Sequence, residues 1–85
     1  MENKEITLSS GKVVSIKKGK GYDIETTQKL IDGDQSKFMS AFMAQCVSID
    51  GKPVVMEDLR EMDADEYLEI MGEFSLINFP SASGK

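Results

Sequence analysis

Asp63, Asp65 and Glu66 place three carboxyl groups within four consecutive residues, near enough for the proton exchange of a general acid and base. The same spacing has a plainer use. With Asp63 as N-cap, Glu66 falls at the third helical position, the arrangement of a capping box, and acids in a first turn complement the helix dipole. Capping accounts for this cluster. Asp32-Gly33-Asp34 opens like a calcium-binding loop, but the position that requires glycine is Lys37, and the one that requires a bidentate glutamate is Met43. Counted from Asp63, those positions are Leu68 and Phe74. Gly19-Lys20-Gly21 invites a phosphate, yet it lacks the spacing of a P-loop and is expected to be a flexible connector. Cys46 is the sole cysteine, and there is no histidine. A disulfide needs two cysteines, a structural zinc site needs several Cys or His ligands, and imidazole-assisted nucleophilic catalysis is excluded. Cys46 lies in an apolar run and is expected to be a buried, inert thiol. These residues point to a non-enzymatic protein with no catalytic, cofactor-binding or metal-binding residues.

Charge narrows the class further. The 85 residues carry a net −5, which disfavours a general nucleic-acid binder. No apolar run is long enough to span a bilayer, and the polar start Met1-Glu2-Asn3-Lys4-Glu5 is not a secretory leader. A single free cysteine fits a reducing interior, so a cytoplasmic location is expected. The charge is also segregated. Residues 1–20 hold Lys4, Lys12, Lys17, Lys18 and Lys20 against Glu2 and Glu5, a net of +3. Residues 57–73 hold eight acids against Arg60, a net of −7. The two segments are either opposite solvated faces or mutually attracted, within the domain or head-to-tail between copies.

The elements follow from patterning. Residues 5–8 and 13–17 are short, β-branched and alternating, and Ser9-Ser10-Gly11-Lys12 between them is a turn. This predicts a β-hairpin whose apolar residues Ile6, Leu8, Val14 and Ile16 need a cover. A helix is expected from Tyr22 to Ile31, with Ile24, Thr27, Leu30 and Ile31 near helical spacing and Gly33 at its end. Asp34 or Ser36 caps a second helix running to about Val47, apolar on more than one face. Asp50-Gly51 with Pro53 predicts a turn, Val54-Val55-Met56 an extended piece, and 57–61 about one helical turn. A last helix runs from Asp63 to Leu76 or Ile77, with Tyr67, Leu68, Ile70, Met71, Phe74 and Ile77 as its apolar face. The fold class is therefore α+β, an N-terminal β-hairpin packed on a small bundle of three to four helices. Residues 1–78 form one small domain, and 79–85 are expected to be a disordered tail.

Taken in order, the hairpin Ile6–Ile16, the connector Lys18–Asp23, the apolar helix Phe38–Val47, the stretch Ile49-Asp50-Gly51-Lys52-Pro53 leading to Glu57-Asp58-Leu59, and the acidic helix Asp63–Ile70 resemble the small tail assembly chaperones of contractile-tailed phages, the Mu-like and P2-like group. The resemblance covers roughly residues 5–77. It implies a phage or prophage helper that binds the tape-measure protein, keeps it soluble and promotes tail tube assembly, in contact with the tube protein as well. The alternatives are a structural tail protein retained in the virion and a small protein-binding adaptor or regulator. The residues themselves suggest how a partner is held. Phe38, Met39, Phe42 and Met43 form one apolar ridge, Met71 and Phe74 a second, and flexible thioethers suit an adaptable surface. The two ridges are expected to bound a groove for an amphipathic helix, rimmed by the acids from Glu57 to Glu73. A homo-oligomer is expected through Phe38–Val47 or Met71–Ile77, unless the two helices face each other inside one monomer.

Overall fold

A computed structural model describes residues 3–79. It has the predicted α+β class, with a sheet larger than the hairpin that the sequence suggests. Strand β1 (Lys4–Thr7) pairs antiparallel with β2 (Val13–Ile16), from Lys4 opposite Ile16 to Thr7 opposite Val13. The turn closes with the Leu8 N–H donating to the Lys12 carbonyl and the Gly11 N–H to that of Leu8, both at 2.8 Å. Gly11 sits at φ +97°, a region that a side chain would strain.

Helix α1 (Gly21–Ile31) starts where the Asp23 carboxylate accepts the Lys20 N–H at 2.8 Å. It buries Thr27 and Ile31 and leaves Leu30 half exposed, so Leu30 does not belong to the inner face as expected. Asp32 in the left-handed region and Gly33 at φ +87° end it. Asp34 accepts from the Ser36 N–H and hydroxyl, and a 3-10 turn (Gln35–Lys37) leads into helix α2 (Phe38–Cys46).

Helix α2 runs straight into strand β3 (Val47–Ile49). Val47 was expected to be helical; it is the first strand residue because its backbone pairs with Ile16. Strand β4 (Lys52–Pro53) follows a two-residue turn in which Asp50 (φ 52°) and Gly51 (φ 81°) are both left-handed, the turn that Asp-Gly favours. Asp50 also joins the hairpins. Its carboxylate accepts the Val13 N–H at 3.0 Å, and its own N–H donates to the Val13 carbonyl at 2.7 Å. The result is a four-stranded antiparallel sheet in the order β1-β2-β3-β4.

Helix α3 (Met56–Arg60) and helix α4 (Ala64–Asn78) complete the fold. Val14 and Ile16 are fully buried on the inner side of β2, while Ser15, Ser48 and Pro53 align across the other side. Met43, Leu59, Ile70 and Phe74 are fully buried with them, so a single core joins the sheet, α2, α3 and α4. The expected tail falls outside the described residues, apart from Phe79.

Candidate partner-binding site

The structure brings the two expected ridges together, but against each other. Phe42 on α2 meets Phe74 on α4 edge-on, with ring centroids 5.2 Å apart and planes at 83°. Phe38 stacks beside Phe42 at 5.7 Å, and Phe79 lies 6.2 Å from Phe42 and 6.0 Å from Phe74. Phe42, Met43 and Phe74 are buried in the core, and Phe38, Met39 and Met71 are half-buried. No open groove runs between the ridges, which corrects the expectation. In so small a domain each apolar helix is the other's best cover, and edge-to-face ring pairs add to the burial.

The connector before α1 seals the same cluster. A Cβ on Gly19 would lie 2.8 Å from Phe42 Cε1, 2.9 Å from Cζ and 3.1 Å from Cys46 Sγ. The Gly19 N–H donates to Asn78 Oδ1 at 2.7 Å, and Asn78 Nδ2 donates to the Lys17 carbonyl at 3.4 Å. The segment expected to be a flexible linker is therefore fastened at both the ring and the end of α4. Lys17 Nζ is 3.9 Å from the Asp23 carboxylate, whereas Lys18 and Lys20 are exposed. Cys46 is buried beneath the connector. Its thiol pKa is pushed up to about 11 by burial and then by the Asp23 carboxylate, as an inert thiol requires.

The segregated charges meet inside the domain. Glu66, Glu69 and Glu73 recur at helical spacing along one side of α4 and face the hairpin. Lys4 Nζ reaches Glu73 Oε1 at 2.7 Å, the Ser9 hydroxyl donates to Glu69 at 2.6 Å, and Lys12 Nζ reaches Glu66 Oε1 at 3.3 Å. The Ser10 hydroxyl, ahead of the Lys12 ammonium, holds the Glu66 carboxyl below its ordinary pKa against the opposing effect of burial. This use of Glu66 overturns the capping box. Asp63 is the N-cap of α4 but makes no side-chain cap bond: the Glu66 N–H donates to Asp65 Oδ1 at 2.9 Å, and the Glu66 side chain is turned toward the hairpin.

Rotating the acids of α4 toward the hairpin turns another set outward. Leu68 is 58% exposed and Leu76 68%. Leu68, Gly72 and Leu76 are four apart and form one stripe along the outer side of the helix. Leu68 therefore lies outside the apolar face that the spacing predicts; the glutamate row opposite a basic hairpin is the signal that fixes the true rotation. At its start the stripe borders a cavity of about 390 Å³ between α2, α3 and α4, lined by Leu59, Arg60, Met62, Tyr67 and Leu68, with Ser40 and Ala64. The Ser40 and Tyr67 hydroxyls of its lining bond each other at 3.2 Å. Arg60 is the charged residue of its lining, and it also borders a separate surface hollow with Glu57 and Glu61. Chemically this is a mixed surface, apolar at Leu59, Met62 and Leu68 and cationic at Arg60. Among the described residues no group of three or more His, Cys, Asp or Glu is placed to hold a metal ion, and no helix is long and apolar enough to cross a membrane.

No family model matches the chain, and neither a curated protein nor a solved structure is found to match it.

Proposed function

We propose that the protein is a non-catalytic phage or prophage tail assembly chaperone, acting in the host cytoplasm. It binds the tape-measure protein, keeps it soluble and promotes assembly of the tail tube around it. The observation that carries this reading is the outer face of α4, where Leu68 and Leu76 stay in water after the core has closed. A surface helix normally keeps its large apolar residues inside, so a stripe of this kind is a docking face for another apolar surface. The net charge of −5 keeps a complex with a long apolar partner dispersed. The resemblance in element order and in the stretch from Ile49 to Leu59 supplies the identity of that partner, and self-association through the C-terminal half of α4 belongs to the same reading.

Co-expression with the tape-measure gene tests it. The long protein should be soluble with the chaperone and insoluble without it. The chaperone should also be missing from finished tails. Its presence there would favour a structural tail protein, and failure to bind the tape measure at any salt concentration would refute the proposal.

A further inference from the structure

We infer that copies of this chain join head to tail, the outer stripe of α4 on one copy packing in parallel along an apolar stripe of α1 on the next. This rests on the self-association in the reading above and names the second face of the contact. Three observations converge. The first is a matched pair of stripes. Tyr22 is 65% exposed and Leu30 50%, and they lie eight residues apart on one side of α1, as Leu68 and Leu76 do on α4, a spacing of about 12 Å along a helix. The second is the midpoint of each stripe. A Cβ on Gly72, midway between the leucines, would meet open space, so the position is a hollow that a facing side chain can fill. Thr26 is midway along the α1 stripe, and its hydroxyl already donates to the Tyr22 carbonyl at 3.0 Å, so covering it orphans no donor. The third is leftover charge. Lys4, Lys12 and Lys17 are ion-paired within the domain, but the exposed Lys18 and Lys20, just ahead of the α1 stripe, have no ion-pair partner among the described residues. The same holds for the exposed Asp63 and Asp65, just ahead of the α4 stripe.

Charge sets the direction. With the two helices parallel, Lys18 and Lys20 of one copy stand beside Asp63 and Asp65 of the next. Reversed, they would stand beside the end of α4, which has no acid after Glu73. A two-fold contact of α4 with α4 would leave Tyr22 and Leu30 in water and Lys18 and Lys20 unpaired. Because the two faces differ and every copy carries both, the contact repeats from copy to copy into a ring or a chain. A neighbouring α1 and the apolar partner of the reading above compete for the one stripe.

Sedimentation equilibrium of the full chain tests this with two half-blocked variants. Tyr22→Asp together with Leu30→Gln blocks the α1 face, and Leu68→Asp blocks the α4 face. All three positions are exposed, so circular dichroism should show wild-type folding. Wild type should exceed the dimer mass as concentration rises, and associate more weakly as salt rises. Each variant alone should associate at least ~10-fold more weakly. An equimolar mixture of the two should recover association and stop at the dimer, because one intact contact remains. Lys20→Glu should weaken wild-type association about threefold, and Asp65→Lys in the same chain should restore it. A monomeric wild type, a folded α1 variant that associates like wild type, a mixture that does not recover, or no rescue by Asp65→Lys overturns the inference. So does a wild type that stops at the dimer and is weakened by Leu68→Asp alone, which makes the contact two-fold. Tape measure kept soluble in any of those cases leaves the chaperone reading standing. Head-to-tail assembly without any tape-measure binding would do the reverse.

Discussion

Gly19 lies against the edge of the Phe42 ring, closer than any side chain at that position could stand, with the nearest ring carbon 2.8 Å from where its Cβ would be. The ring cannot retreat freely, because Phe74 holds its other side. Gly19→Ala should therefore destabilise the fold by ~1–3 kcal/mol, the usual cost of overpacking a filled core. Urea unfolding would measure it. Phe42→Leu in the same chain should recover part of the loss, since it removes the obstructing edge. Equal stability of Gly19→Ala and wild type would mean that the connector is not seated on the ring.

Cys46 gives a chemical readout of the same seal. With its pKa raised to about 11, the thiol is almost wholly protonated at pH 8. It should react with a disulfide reagent far more slowly than a free thiol in the native state, and at the ordinary rate in denaturant. Asn78→Ala cuts the strap over this corner and should speed native-state labelling, with the helix content unchanged. Rapid labelling of the wild type would contradict the burial of Cys46.

Glu66 links the fold to pH. Its folded pKa lies below the unfolded value, so the ionised form is the one that the fold favours. Its contribution is fully present above the ordinary carboxylate pKa of ~4.3 and is lost as pH falls through the lower, folded value. Asp34, lowered chiefly by the Ser36 hydrogen bonds, acts in the same direction. Melting temperatures between pH 7 and pH 3 should fall less steeply for Glu66→Gln than for wild type. Parallel curves would show that the Lys12 and Ser10 contacts do not depend on charge.

Local pattern made the hairpin legible, because Ile6, Leu8, Val14 and Ile16 alternate around a turn whose chemistry fits only a reversal. Strands β3 and β4 were not legible in the same way. No breaker separates Cys46 from Val47, and the apolar run continues through the boundary. What makes Val47 a strand residue is its pairing with Ile16, about thirty residues away, and no window along the chain contains that. The ridges of α2 and α4 were legible as apolar faces, but spacing does not say whether an apolar face meets a partner or its own neighbour. The rotation of α4 was recoverable in principle. Glu66, Glu69 and Glu73 share one side, and a hairpin with Lys4 and Lys12 is the cationic surface available to face them. Taken together, those charges would have put Leu68 outside.

The burial of Phe74 and the exposure of Leu76, two residues further along the same helix, separate stability from association. Phe74 is fully buried among Phe42, Phe79 and the rest of the core. Phe74→Ala should cost ~3–5 kcal/mol, a large share of the ~5–15 kcal/mol that a domain has to spare. Phe74→Asp should unfold the chain outright, because a buried unpaired charge adds to the lost packing. Any loss of partner binding by either variant would follow from unfolding and locate nothing. Leu76 is 68% exposed, and an exposed substitution away from special contacts changes stability by only ~0.5 kcal/mol. Leu76→Asp should keep the native circular dichroism and melting temperature, yet lower the weight-average mass in sedimentation equilibrium, because it breaks the apolar stripe proposed to join two copies. A wild type that stays monomeric at high concentration would remove the proposed self-association. A Leu76→Asp variant as associated as wild type would move the contact away from α4.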